Sequence, residues 1–232
     1  MIDIRKFETL GAADHGWLDA RHHFSFASYH DPARMGWGRI RVWNDDAIAP
    51  GTGFATHPHQ DMEIITYVRS GAITHKDSMG NVGRTEAGDV QVMSAGSGVT
   101  HSEHNLEDVE TTLFQIWVTP DQTGGAPFWD TRPFPKGDRP GTWVTLASGK
   151  AGDGDALPIR ADARVLGATL RAGEKIGFTC ASGRHAYLVL AAGSARVDGA
   201  QVNARDGIAI SEGAHIGIEA TADCELVLVD AL

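Results

Sequence analysis

Two short polar clusters in the sequence contain pairs of side chains that commonly bind metal ions. His57 and His59 flank a proline, and His101 and Glu103 flank a serine. Residues i and i+2 point to the same face of an extended strand. If both segments are strands, each pair lies on one wall of the protein. Three imidazole nitrogens and one carboxylate oxygen can then converge on a single ion.

The kinds of ligand in these pairs limit the kind of metal site. Imidazole and carboxylate suit iron, manganese, cobalt, nickel, copper or zinc, and the spacing does not choose among them. A closed structural zinc site more often contains cysteine, and no cysteine is near either pair. Four protein ligands around a six-coordinate metal leave two positions for water, substrate or dioxygen. Nine of the eleven histidines lie in the first 104 residues, which places the expected chemistry in the front half.

Composition excludes several functional classes. The chain has 232 residues, 42% hydrophobic and 22% charged, which is typical of a globular protein with a substantial core. The net charge of −10 argues against binding to nucleic acid or to an anionic membrane. The N-terminus has charges where a signal peptide needs an apolar run, and no stretch approaches the roughly 20 apolar residues of a membrane span. We therefore expect a cytoplasmic protein with no direct nucleic-acid or membrane partner.

The two cysteines, Cys180 and Cys224, are far apart and fit no metal-binding or redox motif. Both lie in the half of the chain that is poor in histidine. We expect them to be small buried hydrophobic residues in a reducing compartment.

The pattern from about residue 36 onward is that of an all-β protein. Short apolar or alternating runs are separated by Gly, Asp and Asn, and no helical periodicity of convincing length occurs. Strands at this spacing favour a sandwich or barrel. Asp77 to Asn81 is expected to form a hairpin loop. The runs predicted as strands are Arg39–Trp43, Ile64–Val68, Val90–Met93, Thr112–Val118, Tyr187–Leu190 and Glu225–Val229.

The segment from Pro120 to Gly141 contains five prolines and cannot be a central strand. We interpret it as a Pro/Gly-rich linker, with one domain over residues 1–135 and a second over residues 136–232. A weak internal sequence repeat suggests duplication of one β-barrel unit. Glu63 and His185 are each followed eight residues later by a glycine, and then by an Ala-x-Asp sequence before an apolar strand.

Several motifs resemble a known family. Gly51-(x5)-His57-x-His59-(x3)-Glu63 looks like the first cupin motif, and His101-(x3)-Asn105 resembles the end of the second. The match is closer still to the pirin subgroup of bicupins, and the resemblance covers roughly residues 1–135. It rests on Phe54-Ala-Thr-His-Pro-His59, Thr74-His-Lys-Asp-Ser-Met-Gly-Asn81, Gly88-Asp-Val-Gln91, Gly96-Ser-Gly-Val-Thr-His-Ser-Glu103 and Phe114-Gln-Ile-Trp117. It implies two jelly-roll-like cupin barrels, of which the second resembles a cupin only in pattern.

Two departures from the general cupin pattern agree with pirins. Gly71 falls one residue late after Glu63, and Gly96 stands near the place of the proline expected before the second-motif histidine. The resemblance to pirins implies that the fourth ligand is the carboxylate two residues after the last histidine. We therefore assign as ligands His57, His59, His101 and Glu103. Glu63, a ligand in many other cupins, is the reserve candidate. We expect one divalent metal, iron first, with zinc, manganese, nickel, cobalt and copper as alternatives.

Other polar residues of the front half are given less specific roles. We expect His104 to be structural, because it alternates to the face opposite His101, and His75 to brace the hairpin. Gln115 either hydrogen-bonds a ligand or is a buried, satisfied amide. The resemblance puts His23 and Phe26 near the pocket mouth, against the alternative of an N-terminal strand that caps the barrel. Core positions are expected for Trp37, Trp43 and Trp117.

The resemblance implies two kinds of function. The first is a metal-dependent dioxygenase that cleaves a flavonol such as quercetin, with Glu103 as both ligand and catalytic base. The alternative is a metal-binding, redox-responsive regulatory protein without turnover, which would have a protein partner. The cupin fold also allows a metal-dependent isomerase or decarboxylase. The second barrel lacks an HxH pair, so we expect it to be structural and metal-free.

Overall fold

The chain is almost entirely β-structure in the computed structural model, which describes residues 2–134, 137 and 139–232. These residues form twenty-two strands and two short 3-10 helices, Phe7–Thr9 and Pro32–Arg34. No helix among them has the length and apolar character needed to cross a membrane. Five of the six runs predicted as strands lie wholly within strands, and the run Arg39–Trp43 does so from Ile40 onward, since Arg39 is in a turn. The Asp77 hairpin forms as expected, with the Asp77 amide donating to the Asn81 carbonyl.

The first unit consists of eleven strands in two sheets. Seven form one sheet in the order β12-β9-β6-β11-β4-β3-β2, and four form the other in the order β5-β10-β7-β8. The strands are β2 (Gly11–Asp14), β3 (Leu18–His22), β4 (Ile40–Ile48), β5 (Gly53–His59), β6 (Glu63–Ser70), β7 (Ala72–Asp77), β8 (Val82–Glu86), β9 (Val90–Ser94), β10 (Val99–His104), β11 (Thr111–Val118) and β12 (Phe128–Arg132).

The second unit repeats this arrangement. Its seven-stranded sheet has the order β1-β20-β17-β22-β15-β13-β14, and its four-stranded sheet has the order β16-β21-β18-β19. The strands are β1 (Ile2–Arg5), β13 (Val144–Ser148), β14 (Leu157–Pro158), β15 (Ala163–Leu170), β16 (Lys175–Thr179), β17 (His185–Ala192), β18 (Ser194–Val197), β19 (Ala200–Asn203), β20 (Gly207–Ile210), β21 (His215–Ala220) and β22 (Cys224–Ala231).

The topology supports the duplication that the sequence suggested. The run β9-β6-β11-β4 in the first large sheet corresponds to β20-β17-β22-β15 in the second. Glu63 begins β6 and His185 begins β17, so the first residues of the two copies of the weak internal repeat occupy equivalent positions. The chain is therefore a bicupin, as predicted.

The two large sheets pack on each other through a shared apolar core. Trp43, Tyr67 and Phe114 of the first unit join Tyr187 and other residues of the second in one cluster. Inside the second barrel, 18 buried apolar residues form a single cluster. Inside the first, the apolar clusters hold only six and four residues. The interior of the first barrel is therefore largely given to polar side chains, which is where a site can form.

The segment between the units differs from a plain linker. It contains β12, which pairs with β9 at the edge of the first sheet, so the exclusion of a central strand is confirmed. The predicted boundary between residues 135 and 136 lies outside the described residues.

β1 pairs with β20 in the second unit, so the start of the chain completes the other barrel. Strands β1 and β2 were not predicted, because they are short and contain charged residues, whereas β3 ends one residue before His23, where an N-terminal strand was the alternative expectation.

Candidate metal centre

Two adjacent strands of the small sheet bring three histidines together. His57 and His59 lie on β5, and His101 on β10 is the direct register partner of His57. The ring centroids are 4.8 Å apart for His57 and His59, 4.5 Å for His57 and His101, and 4.9 Å for His59 and His101. One ring nitrogen from each lies within 4.8 Å of the others. The i, i+2 spacing and the strand pairing together produce the predicted convergence of imidazoles.

A bulge between these strands sets the direction of Glu103. The register shifts between His101, opposite His57, and Glu103, opposite Phe54. Such bulges redirect side chains beside functional sites. Gly53 is required there, because a Cβ on it would lie 2.2 Å from the Glu103 carbonyl oxygen. The bulge thus depends on a glycine that lets two backbones approach closely.

Glu103 is buried and held by three side-chain donors. Its Oε1 accepts from Gln91 Nε2 at 2.6 Å and from Thr66 Oγ1 at 3.3 Å, and its Oε2 accepts from Gln115 Nε2 at 3.0 Å. A carboxylate has about four acceptor positions, so one remains on Oε2. Glu103 forms a second potential ligand group with His75 and His101, and the two groups share His101.

The donors that hold Glu103 belong to a set of polar side chains that lie side by side across the large sheet, which we call the polar row. Successive register partners on β3, β4, β11, β6, β9 and β12 contribute one side chain each. Since register partners on neighbouring strands point to the same face, the row forms a hydrogen-bonding floor under Glu103. Its members are His22, Asn44, Gln115, Thr66, Gln91 and Thr131. The open alternative for Gln115 is thereby decided: it is a satisfied amide that hydrogen-bonds a candidate ligand.

A chain of hydrogen bonds fixes the tautomer of His101. Asp77 accepts from the side chain and amide of Asn81 and from the Met79 amide, and these bonds together with the one from His75 hold its pKa below the usual range despite burial. His75 Nε2 lies 3.0 Å from this carboxylate and must donate to it. The neutral His75 then accepts at Nδ1 from His101 Nδ1, 3.4 Å away. His101 Nε2 is left with its lone pair free. His75 therefore braces the hairpin, as predicted, and also orients a candidate ligand.

The geometry at the imidazoles fits a metal ion. His57 Nδ1 donates to the Ala55 carbonyl at 2.7 Å, so its Nε2 also has a free lone pair. The two lone-pair nitrogens of His57 and His101 face each other at 3.1 Å and repel unless a cation joins them. Two nitrogens about 2.1 Å from one ion, at a right angle, are about 3.0 Å apart. The donor set therefore suits a first-row divalent metal.

Burial shifts the proton affinities toward uncharged groups. Desolvation lowers the pKa of His59 to about 4 and that of His101 to about 2, with the neighbouring imidazoles adding to both shifts. Desolvation also raises the pKa of Glu103 to about 7, although its three donors oppose the change. His59 and His101 are thus neutral and free to bind metal near pH 7, where Glu103 of the metal-free protein can exchange a proton.

An apolar cavity of about 500 Å³ adjoins the histidines, and His57 and His59 line it. Phe54 stands next to His57, and Trp117 meets the His59 ring edge-on with 5.0 Å between the centroids. Phe26 packs edge-on against Trp117 at 5.4 Å. Cavities of this size and character accept small aromatic molecules. Sequence reasoning assigned Trp117 to the core, but it is a partly exposed wall residue.

Other residues singled out in the sequence lie outside the site. Glu63 accepts from Ser94 Oγ and from the Arg160 amide, and it joins neither ligand group among the described residues. His104 also joins neither group. His23 is fully buried between the barrels, 2.9 Å from the Tyr187 hydroxyl, so the pocket position that the resemblance implies does not hold for His23. It does hold for Phe26, which lines the cavity. Trp43 is buried in the shared core, and Trp37 packs against it.

Both cysteines are free and buried, as expected.

Sequence reasoning missed several polar residues of the site. His22, Asn44 and Asp46 line the cavity with Gln115. Asn44 and Asp46 are two residues apart on β4, and Asn44 follows Trp43, which packs in the shared core. The i, i+2 spacing of Asn44 and Asp46, which puts both side chains on one face of an extended strand, was the available signal.

Comparison with known proteins agrees with this architecture. The pirin family model matches residues 3–118, and the model of the quercetinase C-terminal cupin domain matches residues 145–231. A pirin-like protein of Caulobacter vibrioides is 64% identical over the whole of both chains. A quercetin 2,3-dioxygenase of Escherichia coli is 41% identical, covering 99% of this chain and 98% of its own.

A solved structure extends the likeness to three dimensions. The bacterial pirin YhhW of Escherichia coli, in complex with nickel(II), superposes with a TM-score of 0.92 and 40% identity, covering 100% of this chain and 99% of its own. The two matched domain families, the two barrels and the likeness along the full length lead to one conclusion: the chain belongs to the pirin family of bicupin proteins.

Proposed function

We propose that the chain is a metal-dependent dioxygenase of the pirin type that cleaves a flavonol such as quercetin with dioxygen. The observation that carries the proposal is the group of three convergent imidazoles, two of which line an apolar cavity. The proposed ligands are His57, His59, His101 and Glu103. The name of the Escherichia coli relative, quercetin 2,3-dioxygenase, supports the substrate class.

The cavity supports a flat aromatic substrate. Its volume of about 500 Å³ is within the range of about 300–1,000 Å³ for small-molecule sites. Edge-on aromatic contacts, such as Trp17 with Phe54 and Phe26 with Trp117, give it rigid walls. A planar ring system can therefore bury most of its apolar area next to the histidines.

A divalent metal at this site supplies Lewis acidity that lowers the pKa of a hydroxyl bound to it. Glu103 is suited to take the hydroxyl proton, because its buried carboxyl group lies beside His101 and is held in place by side-chain donors. Gln91 and Gln115 keep the carboxyl group in place through both states. Iron is the proposed metal, and the nickel complex of the related structure makes nickel the first alternative to test.

The proposed overall reaction uses one flavonol and one dioxygen. The proton of the 3-hydroxyl passes to Glu103, dioxygen adds to the activated ring, the ring opens and carbon monoxide leaves, as the family resemblance implies. The second barrel has a structural role, packing on the first through the shared core. We propose that the reaction takes place in the cytoplasm.

The test is an oxygen-uptake assay on purified protein loaded separately with iron, nickel, manganese, cobalt, copper and zinc. Incubation with quercetin is expected to consume oxygen, remove the flavonol absorbance and release carbon monoxide with at least one metal. His101→Ala is the matched inactive control. The absence of turnover with every metal would contradict the proposal and favour the regulatory alternative.

A further inference from the structure

Asp46 is a buried acid that the proposed chemistry does not use. It lies on β4, with 2% of its surface exposed, and it lines the cavity beside the histidines. Its register partners are Ala20 on β3 and Leu113 on β11, both apolar and buried. Its register partners therefore offer it no hydrogen-bonding side chain.

The Asp46 carboxyl has no partner within the described part of the chain. Its Oδ1 is buried without a hydrogen bond, and neither oxygen makes an ion pair there. Asp45, the preceding residue on the opposite face, instead binds both Arg69 and Arg205. Buried polar groups are nearly always hydrogen-bonded, so an exception that faces a cavity indicates a ligand.

The surroundings decide which form of the acid faces the cavity. Burial, reinforced by the charges of Asp45 and Glu103, raises the pKa of Asp46 well above its usual range, and Arg69 only partly opposes this. This direction favours the neutral carboxylic acid, whose hydroxyl can donate a hydrogen bond. A matching ligand must present an acceptor oxygen, such as a carbonyl or an ionised hydroxyl, to this part of the cavity wall.

We infer that Asp46 is a substrate-binding residue whose carboxyl donates a hydrogen bond to an acceptor oxygen of a planar aromatic ligand in this cavity. The inference rests on the proposed function for the ligand class, since a flavonol presents a ring carbonyl and several hydroxyl oxygens on a flat apolar frame. It adds a specificity-determining contact on the large sheet, opposite the small sheet that carries the histidines.

Two substitutions separate the donor role from a structural one. Asp46→Asn keeps the volume and a donor group, so its affinity for quercetin is expected to stay within about threefold of the wild type. Asp46→Leu removes the donor and is expected to weaken binding about tenfold. In the ligand-free protein, Asp46→Leu is expected to raise the melting temperature, because an apolar side chain replaces an unpaired acid among Ala20 and Leu113. A merely structural aspartate would give the opposite change.

The measurement is calorimetric titration of quercetin under nitrogen into nickel-loaded protein at matched metal content, together with thermal unfolding. Asp19→Leu is the matched control, since Asp19 lies on β3 with its side chain half exposed and outside the cavity. Unchanged affinity in Asp46→Leu would overturn the inference, as would equal losses in both Asp46 variants. Absence of quercetin binding to the wild type would overturn it as well. Binding that depends on Asp46 without turnover in air would contradict only the proposed reaction.

Discussion

Replacing Glu103 by glutamine is expected to stabilise the metal-free protein at alkaline pH. The carboxyl group is fully buried, and burial raises its pKa from 4.5 to about 7. Glutamine has nearly the same size but carries no charge. At low pH the wild-type side chain is also neutral, so the two proteins differ mainly where Glu103 must ionise.

The size of the effect follows from the pKa shift. Between pH 4.5 and 7 the folded protein binds a proton at Glu103 more tightly than the unfolded chain does. Stability therefore falls as pH rises through this window. The full loss is about 3 kcal/mol, at about 1.4 kcal/mol per pH unit. Glutamine avoids this loss but presents an amide to Gln115 Nε2, which costs about 1–3 kcal/mol unless the Gln115 amide rotates. We expect a net gain of about 0–3 kcal/mol at pH 8, at the upper end if the Gln115 amide rotates.

The assay is urea unfolding of chelator-treated wild type and Glu103→Gln at pH 5 and pH 8. Glu86→Gln is the matched control, because Glu86 is exposed and pairs with Arg84 on the surface, so its effect should stay within about 0.5 kcal/mol. The reasoning is refuted if the difference in unfolding free energy between wild type and Glu103→Gln is the same at both pH values.

The same variant tests the proposed catalytic role when metal is bound. At matched metal occupancy, Glu103→Gln should still load metal, more weakly, and turn over about 10²–10⁴-fold more slowly. If Glu63 is the true fourth ligand, the drop should appear in Glu63→Gln instead. Full activity in Glu103→Gln would contradict the proposed mechanism.

The remaining predictions concern metal content, ligand orientation and acid stability. His57→Ala and His101→Ala should each lose most bound metal by elemental analysis, and unchanged content in both would refute the ligand assignment. The second barrel should bind none, so a metal equivalent that survives these substitutions would contradict its structural role. Asp77→Asn should weaken metal binding about 10–100-fold in a chelator competition, because the amide no longer fixes the His75 tautomer; equal affinity would exclude that link. Burial lowers the pKa of His23 to about 3, so stability should fall as pH drops below 6.5, when the unfolded chain takes up the proton first. His23→Asn should flatten this acid unfolding curve by urea denaturation, and an unchanged curve would assign the acid lability elsewhere.

The sequence by itself determined the class of fold and the histidine pairs. Short alternating runs with glycine between them specify strands, and the two-residue period specifies which side chains share a face. His57 with His59, and His101 with Glu103, could therefore be paired from the sequence pattern alone. The pirin motifs, and the weak internal repeat between the segments that begin at Glu63 and at His185, identified the two barrels.

Only the tertiary structure decided how those residues work together. The alternation of residues along a strand predicts the face to which each side chain points. It predicts neither which strand pairs beside it nor the register of that pairing. The polar row comes from six strands separated along the chain, so the setting of Glu103 and the choice of Gln115 as its donor could not be read from local pattern. The contact of His75 with His101 and the unpaired carboxyl of Asp46 likewise depend on long-range packing, because burial and partners are properties of the assembled barrel.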